Sequence, residues 1–391
     1  MKIAFFSWEA VNAVYVGGVA VHVSELAQAL TRKGHEVHIF TRIGDHQTNY
    51  ECVNGVHYHR CHHDYDVYFP REIENMCRSF LHAFLETEDH TGPFDIIHAH
   101  DWLAANAMVW IKNMRDRKSI FTMHSTEYGR CGNNRLPGSS DEISSIEWSG
   151  IYHADEVIAV SDTLKKELVW LYGMPENKGH VIYNGVDYHA FDGWIDSLAV
   201  RKMYDIGYED PMILFAGRVV YQKGPDILAE CVPDIVKHYH DAKFVFAGDG
   251  GMRMQVEDRL RALGVHGNTR FLGHQGGWRL QDLFKTCDCV CVPSRNEPFG
   301  IVILEAWAAG KPVVASVNGG PSEFVWHDVN GYKVKAEKES INWGLGTLLE
   351  DREHAAWMGR NGRHAVETIF SWDAVADETL AVYHEGSKVR R

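Results

Sequence analysis

The sequence predicts an α/β protein built from two doubly wound domains. The first observation is an apolar run at residues 2–7, helical periodicity over 21–33, and a second apolar run at 36–40 after Gly34. Strand, helix and strand at this spacing form a βαβ unit, which implies a parallel sheet with right-handed crossovers. The second observation is that such runs recur along the chain and start again after an interruption near residue 200. Two similar sheets in series therefore explain the whole pattern.

Each further candidate strand is a short apolar run followed by polar or glycine-containing residues. In the first series these are 94–98, 119–123, 156–160 and 179–183, and in the second 212–216, 243–247, 269–272, 289–292, 312–315 and 331–334. Because ligands of such sheets bind at the carboxyl ends of the strands, we expect the site in a cleft between the two domains.

A weakening of the apolar periodicity marks the boundary between the two series. It falls between about Asp187 and Pro211, where Gly193 and Gly207 also interrupt the chain. We interpret this stretch as an inter-domain linker and predict domains at residues 1–190 and 191–371.

The charge balance excludes several classes of partner. The chain has 391 residues, with 39 Lys and Arg against 53 Asp and Glu, a net charge of −14 with histidine neutral. Non-specific binding to nucleic acid or anionic membranes needs positive charge, so neither is expected. The 24 histidines are unusual, and we expect many of them to begin charging near pH 6. An anionic ligand must find a local basic cluster.

Targeting and redox signals favour a cytoplasmic protein. Residues 1–9 are too short for a signal-peptide core, and no apolar run approaches 18 residues. The eight cysteines include no C-x-x-C pair, which favours reduced thiols.

Three motifs have the chemistry of an anion site. Gly17-Gly18 lies between the first strand and its helix, where it forms either a tight turn or a close approach to a ligand. Arg218 and Lys223 follow the strand that ends at residue 216, either as solvated surface cations or as partners of a diphosphate. The G-x-G-x-x-G spacing is missing from the first loop, which disfavours an NAD-type enzyme.

The third motif, residues 297–305, is the most specific. Glu297 precedes a helix predicted to begin near Gly300, and Glu305 lies within it among apolar residues. Backbone N–H groups at Phe299, Gly300 and Ile301 would offer an anion site. The alternative without a function is that Glu297 interacts with the helix dipole and Glu305 faces solvent. Against it, a carboxylate flanked by apolar residues is partly buried, and burying it costs free energy unless it has hydrogen-bond partners.

These residues together resemble a known family. The pair Glu297 and Glu305 matches the E-x-seven-E signature of retaining glycosyltransferases of the GT-B fold, and the segments 294–300, 304–306 and 319–320 look like their nucleotide-sugar loops. The whole chain is similar to glycosyltransferase family four. Ser7-Trp-Glu9, residues 98–102 and Thr122-Met-His124 narrow the resemblance toward glycogen and starch synthases.

The resemblance implies the role of each site residue. The catalytic set is His124, Glu297, Arg218 and Lys223; the donor-binding set is Gly17, Gly18, Asn184, Phe299, Gly300, Ile301 and Glu305; and acceptor-side candidates are Glu9, His100, Asp101 and Tyr128. It also implies that a last helix, at about 372–391, packs back on the N-terminal domain. No cofactor or metal is expected, because cationic side chains replace the metal, and the co-substrate is a nucleotide-diphosphate sugar.

Three further segments have unusual composition. The histidine-rich segments 98–101 and 57–63 lack the spacing of a standard zinc site, so we do not expect metal binding there. The polar loop 127–140 either lines the acceptor side or is a disordered tip.

The predicted function is transfer of a hexose, with glucose favoured, to a glucan or oligosaccharide with retention of configuration. One alternative is a mannosyltransferase or other hexosyltransferase acting on a lipid or small-molecule acceptor. Another is a sugar-nucleotide-binding protein without catalysis, which the intact Glu297, Glu305, Arg218 and Lys223 disfavour.

Overall fold

A computed structural model describes residues 1–385, and in it the chain divides into two compact units. Among the described residues, the first contains Met1–Arg130, Asn134–Asn184 and 372–385, and the second contains Cys131–Asn133 and Gly185–Ser371. The division thus falls after Asn184 rather than after residue 190. The part of the expected last helix beyond residue 385 lies outside the described residues.

Each unit is built on one sheet. The strands of the first unit are β1 Lys2–Phe6, β2 Glu36–Arg42, β3 Tyr50–Val53, β4 Val56–Cys61, β5 Ile96–His100, β6 Lys118–Met123, β7 Glu156–Ala159 and β8 Gly179–Val181. Those of the second are β9 Met212–Ala216, β10 Lys243–Ala247, β11 Thr269–Gly273, β12 Cys289–Val292, β13 Val313–Ser316 and β14 Gly331–Val334.

The helices connect these strands. They are α1 Gly18–Arg32, α2 Phe69–Thr91, α3 Trp102–Arg115, α4 Glu127–Arg130, α5 Ser139–His153, α6 Asp162–Tyr172, α7 Ser197–Met203, α8 Pro225–His238, α9 Arg253–Ala262, α10 Trp278–Thr286, α11 Ile301–Ala308, α12 Pro321–Phe324, α13 Lys338–Glu350, α14 Arg352–Thr368 and α15 Trp372–His384. Helix α7 lies within the stretch that we expected to be a linker. No helix in residues 1–385 has the length and apolar character needed to cross a bilayer.

The two sheets have doubly wound strand orders. The first is β3-β4-β2-β1-β5-β6-β7-β8, and the second is β11-β10-β9-β12-β13-β14. All neighbouring pairs are parallel except β3 with β4. In both sheets the order reverses beside the first strand of the unit, β1 or β9, where ligands of open α/β sheets bind.

The hairpin β3–β4 is absent from the sequence prediction. Its two-residue turn is Asn54-Gly55, with φ of 52° and 81°. Positive φ at both positions is what a type I′ turn requires, and Asn-Gly is its preferred sequence. This dipeptide was therefore the signal that could have located the hairpin.

The core of the first unit includes part of the C-terminal helix. Trp372, Val375, Ala376, Val382 and Tyr383 of α15 belong to the same buried cluster as residues of α1, β1 and β2. In the second unit, Cys289 and Cys291 point into the core from one face of β12. All eight cysteines are free thiols.

A buried hydrogen bond ties α15 to the first sheet. The ring nitrogen Nδ1 of His98 and the hydroxyl of Tyr383 are 2.7 Å apart, and both side chains are fully buried. Replacing Tyr383 by Phe leaves the imidazole nitrogen without a partner, so we expect a loss of about 1–3 kcal/mol in unfolding free energy. Denaturant unfolding of the variant measures it.

The matched control is Tyr50→Phe. Tyr50 makes the same kind of bond, 2.8 Å to Nδ1 of His57, but on the exposed face of the sheet. Water can replace that bond, so a small change is expected. Equal effects of the two substitutions would contradict the docking role of Tyr383.

Candidate functional site

An ion pair joins two of the predicted catalytic residues in the second unit. The ammonium of Lys223 donates to both carboxylate oxygens of Glu297, at 2.8 and 2.7 Å. The hydroxyl of Ser294 donates to Oε2 of the same carboxylate at 2.9 Å. The Glu297 side chain is 5% exposed and that of Lys223 22%. A carboxylate this buried is stable only because its charge is paired and hydrogen-bonded.

Close backbone approaches bring the residues of this pair together. Lys223 follows β9, and Glu297 follows the neighbouring strand β12. A Cβ on Gly224 would overlap the carbonyl oxygen of Pro293, and one on Gly319 would overlap that of Glu297. Both glycines have positive φ, 66° and 111°. Only glycine permits this packing, which explains why positions 224 and 319 are occupied by glycine.

Arginine 295, which the sequence prediction did not single out, fastens the two loops. Its guanidinium forms two hydrogen bonds to the carboxylate of Asp226, at 2.8 and 2.6 Å, and lies 3.9 Å from the ring centre of Tyr221. Its backbone N–H donates to the carbonyl of Gln222 at 2.8 Å. The loop that carries Lys223 is therefore held to the loop that carries Glu297 independently of the ion pair itself.

Arg218 lies beside this pair in the chain but has a different environment. It is exposed, and its Nη2 is 3.4 Å from the amide oxygen of the buried Gln222. Its exposed guanidinium lies on the loop after β9, on the same loop as Lys223.

The helix that follows Glu297 begins as the sequence predicts. Gly300 is the N-cap of α11, with φ of 97°, and no side chain caps the helix. The first N–H groups of a helix lack intrahelical acceptors. Within residues 1–385 the backbone N–H groups of Gly300 and Ile301 have no acceptor. Phe299 is buried, with its ring centre 4.9 Å from that of Phe324, so its side chain anchors the loop.

Glu305 sits in α11 without a side-chain partner among the described residues. Part of its side chain is exposed, yet the surrounding protein displaces enough water to raise its pKa to about 7. Desolvation is the cause. Desolvation makes the ionised carboxylate unfavourable at this position, and a perturbed pKa of this kind is typical of a residue that binds a ligand.

In the first unit, Glu9 holds the glycine loop. Its Oε2 accepts hydrogen bonds from the backbone N–H groups of Val16 at 2.8 Å and Gly17 at 2.6 Å, and the side chain is buried. Gly18 is exposed and begins α1. The carboxylate that we predicted on the acceptor side therefore shapes the loop of Gly17 and Gly18.

Two other predicted residues position the segment after β6. Oδ1 of the buried Asp101 accepts from the backbone N–H of His124 at 2.7 Å and of Ser125 at 3.3 Å. Nδ1 of His100 lies 3.2 Å from Nε2 of His124. The structure thus brings His100, Asp101 and His124 together.

Asn184 lies in the same region and has a partner that the sequence did not reveal. Its Oδ1 is 2.6 Å from Nδ1 of His22, on α1. Both side chains are buried. The two residues are 162 positions apart in the chain, so no sequence motif could have predicted this contact.

Buried histidines correct the expected charging near pH 6. Burial lowers the pKa of His22, His98 and His100 well below its ordinary value, and that of His124 to about 3. Removal from water disfavours the charged imidazolium. These four imidazoles are neutral at pH 6, so they do not reduce the negative charge there.

The loop that follows His124 is ordered by a buried charge network. The guanidinium of Arg130 pairs with the fully buried carboxylate of Glu147 and, at 3.0 Å, with Glu127. Tyr172 also donates to Glu147. Burial raises the pKa of Glu147, and Arg130 opposes that shift. Residues 127–130 form α4, so this part of the segment is not a disordered tip.

A cavity of about 340 Å³ opens beside this network. Its lining combines aromatic, hydroxyl and charged side chains: Glu127, Tyr128, Asn134, Arg135, Leu136, Ser140, Asp141, Ser144, Ser145, Trp148, Leu171 and Tyr172. The predicted acceptor residue Tyr128 is among them.

Family comparisons agree with both units. Residues 16–189 match the family model of glycosyltransferase family 4, and residues 198–365 match that of glycosyl transferases group 1. An uncharacterized glycosyltransferase of Methanocaldococcus jannaschii is 38% identical over 98% of each chain. The chain belongs to glycosyltransferase family 4.

Two further relatives of this glycosyltransferase carry more specific names. A D-inositol 3-phosphate glycosyltransferase of Xylanimonas cellulosilytica is 32% identical, covering 96% of this chain and 93% of its own. A glycogen synthase of Mycobacterium tuberculosis is 28% identical, covering 98% and 94%.

Solved structures share the GT-B fold of this glycosyltransferase. Sucrose-phosphate synthase from Thermosynechococcus elongatus superposes with a TM-score of 0.84 at 23% identity, covering 98% of each chain. Anabaena HepE in complex with UDP-glucose has a TM-score of 0.77 at 21% identity, covering 98% of this chain and all of its own.

The raised pKa of Glu305 makes a pH-dependent prediction. The folded-state value of about 7 exceeds the ordinary 4.5, so ionisation of Glu305 destabilises the folded protein as pH rises through this interval. Glu305→Gln removes that cost. We expect the variant to gain up to about 3 kcal/mol relative to the native protein between about pH 5 and pH 8, measured by denaturant unfolding at each pH.

Glu350→Gln is the control for the same charge removal, because Glu350 is exposed at the end of α13. Its difference from the native protein should stay nearly constant with pH. Parallel pH profiles for Glu305→Gln and Glu350→Gln would contradict the desolvation of Glu305.

Proposed function

We propose that this glycosyltransferase transfers a hexose, with glucose favoured, from a nucleotide-diphosphate sugar to a glucan or oligosaccharide, with retention of configuration. The observation that carries the proposal is the Lys223–Glu297 pair with its Ser294 contact, next to the N-terminus of α11. It places a cation, a fixed carboxylate and free N–H groups at the carboxyl ends of neighbouring strands.

The leaving diphosphate is held by this set of groups. Arg218 and Lys223 supply positive charge, and the N–H groups of Gly300 and Ile301 donate hydrogen bonds. As the glycosidic bond breaks, negative charge grows on the phosphate oxygen, and these donors stabilise it. The exposed Arg218 can move to the phosphates, whereas Lys223 remains anchored by Glu297.

The sugar and ribose are held by the carboxylates and the histidine. Glu297 accepts hydrogen bonds from hydroxyls of the donor sugar, and its charge stabilises an oxocarbenium-like transition state. Glu305 accepts from the ribose hydroxyls. The neutral His124 hydrogen-bonds the donor sugar, as the family resemblance implies. Asn184, Phe299 and the loop of Gly17 and Gly18 complete the donor set.

Retention follows from attack on the same face as the departing diphosphate. A phosphate oxygen of the donor takes the proton of the acceptor hydroxyl, the new C–O bond forms as the old one breaks, and the nucleoside diphosphate leaves with that proton. No cofactor and no metal are part of this proposal, because Arg218 and Lys223 supply the positive charge.

The choice of donor and acceptor is supported by the names of relatives. Glycogen synthase and HepE bound to UDP-glucose support glucose. The cavity beside α4 has Trp148 and Tyr128 for stacking on sugar rings, with Asp141 and serine hydroxyls for hydrogen bonds. We propose that it takes part in acceptor binding in the cytoplasm.

A small phosphorylated acceptor is the second candidate. Two relatives, D-inositol 3-phosphate glycosyltransferase and sucrose-phosphate synthase, have phosphorylated small molecules in their names. Arg135, which lines the same cavity, offers a phosphate partner.

Replacing Lys223 tests the diphosphate role. We expect Lys223→Ala to lower kcat by about 10²-fold, since removal of a single transition-state donor has effects of this size. Turnover is measured as release of nucleoside diphosphate. Glu297→Gln keeps the hydrogen bonds to Lys223 and Ser294 but removes the charge, and it should also lower kcat strongly.

The control is Lys237→Ala, which removes an exposed cation of α8 outside the site. It should transfer at the native rate. If folded Lys223→Ala and Glu297→Gln both transferred sugar at the native rate, the roles proposed for Lys223 and Glu297 in catalysis would be excluded.

The stereochemical outcome is tested with a panel of UDP-, ADP- and GDP-sugars against glycogen, maltooligosaccharides and inositol and hexose phosphates. With an α-linked donor we expect an α-linked product, identified by the small coupling constant of its anomeric proton in NMR. A β-linked product would exclude retention, and transfer only to the phosphates would select the second candidate.

A further inference from the structure

Three imidazoles from three separate elements converge in the first unit. His22 lies on α1, His100 ends β5, and His124 follows β6. Each offers one ring nitrogen such that the three atoms lie within 4.8 Å of one another. Along the chain, the histidine and aspartate residues next to His100 do not have the spacing of a zinc site. The fold supplies the missing ligands from α1 and from the segment after β6.

The ring of His22 carries an unpartnered nitrogen. Its Nε2 is buried and has no hydrogen-bond partner among the described residues. The amide oxygen of Asn184 accepts from Nδ1 of His22, so Nδ1 carries the proton and Nε2 presents a lone pair. An imidazole fixed by a hydrogen bond at its other nitrogen is the usual arrangement of a metal-bound histidine.

The distances suit a tetrahedral dication. Zinc–nitrogen bonds of about 2.0–2.1 Å imply nitrogens about 3.4 Å apart around the metal. Nδ1 of His100 and Nε2 of His124 are already 3.2 Å apart. The remaining separations are within 4.8 Å, so they have to shorten by up to about 1.4 Å to reach the spacing of zinc ligands.

A neighbouring negative charge also favours binding of a cation. The carboxylate of Asp101, bound to the backbone N–H of His124, supplies nearby negative charge.

Two other groups of possible ligands are less suitable. In the group of Glu36, His38 and His57, the ammonium of Lys2 lies 3.7 Å from the Glu36 carboxylate and repels a cation. In the group of Glu156, His180 and Glu385, all three side chains are at least partly exposed. Neither group contains an unpartnered buried nitrogen among the described residues.

We propose that His22, His100 and His124 form a binding site for a transition-metal dication such as Zn²⁺, and that its occupation inhibits transfer. The inhibition rests on the proposed function, in which His124 hydrogen-bonds the donor sugar. A metal on its ring removes that contact. The metal is an inhibitor here and supplies no step of the reaction.

Direct binding tests the site without any assay of activity. Chelator-treated protein is titrated with Co²⁺, whose visible absorption is intense in tetrahedral sites, and then with Zn²⁺ by calorimetry. We expect one tetrahedral Co²⁺ per chain, displaced by Zn²⁺. His22→Asn keeps an N–H near the position of Nδ1 for Asn184 but removes Nε2, and it should weaken binding at least tenfold.

His57→Asn is the matched control, because it makes the same substitution in a competing group. It should bind Co²⁺ like the native protein. His124→Asn is a second ligand variant in case His22→Asn does not fold, as judged by circular dichroism. The proposal is overturned if the native protein binds no tetrahedral Co²⁺, if a folded ligand variant binds at native affinity, or if the loss occurs in His57→Asn.

Inhibition is measured separately with native protein and His22→Asn. We expect Zn²⁺ to lower the native transfer rate, chelator to restore it, and the variant to need at least tenfold more Zn²⁺. Native metal binding with an unchanged transfer rate overturns the inhibitory role alone. Absence of transfer with every donor contradicts the proposed function, while the Co²⁺ titration still decides the metal site.

Discussion

The contact on which the candidate site depends is the ion pair of Lys223 with Glu297. Neither charge is fully hydrated, so each would be costly in this position without the other. The pair is possible because the loops after β9 and β12 approach within hydrogen-bond distance, and Gly224 and Gly319 permit that approach. Arg295 holds the same loops through Asp226. Backbone packing therefore fixes the site before any ligand contributes.

The histidines of the first unit have a structural explanation that their number alone did not suggest. His98 stacks on His100 at 4.3 Å between ring centres, and His38 stacks on His57 at 4.4 Å. These rings pack as aromatic side chains, and a nitrogen of His98 and one of His38 have hydrogen-bond partners within the sheet. Because burial keeps many of them neutral, a count of histidines overestimates how much charge the protein gains near pH 6.

Sequence patterns predicted those features that depend on local order. The bounds of β9, β10 and β12 agree with the predicted strands, because central parallel strands are buried on both faces and appear as continuous apolar runs. The hairpin β3–β4 was missed because three of the four residues of β3 are exposed and form no such run. Lys223 and Glu297 were predicted as site residues that follow strands, but the ion pair between them was not predicted, because it depends on β9 and β12 being neighbours. Contacts of His22 with Asn184 and of Arg130 with Glu147 were not predicted either, since packing between distant segments creates them.

Glu305 illustrates how an acidic protein can hold an anionic ligand. With a pKa of about 7, this carboxyl is partly protonated at neutral pH, so it contributes less than a full negative charge beside the proposed phosphate groups. Ribose hydroxyls that donate to the carboxylate favour its ionised form and lower its pKa. In the proposed role, binding of the ribose would release a proton from Glu305, and the diol would offset the cost of ionising it. A ligand with phosphate but no ribose would lack that compensation, so the proposed role predicts that this carboxyl discriminates a nucleotide from inorganic phosphate.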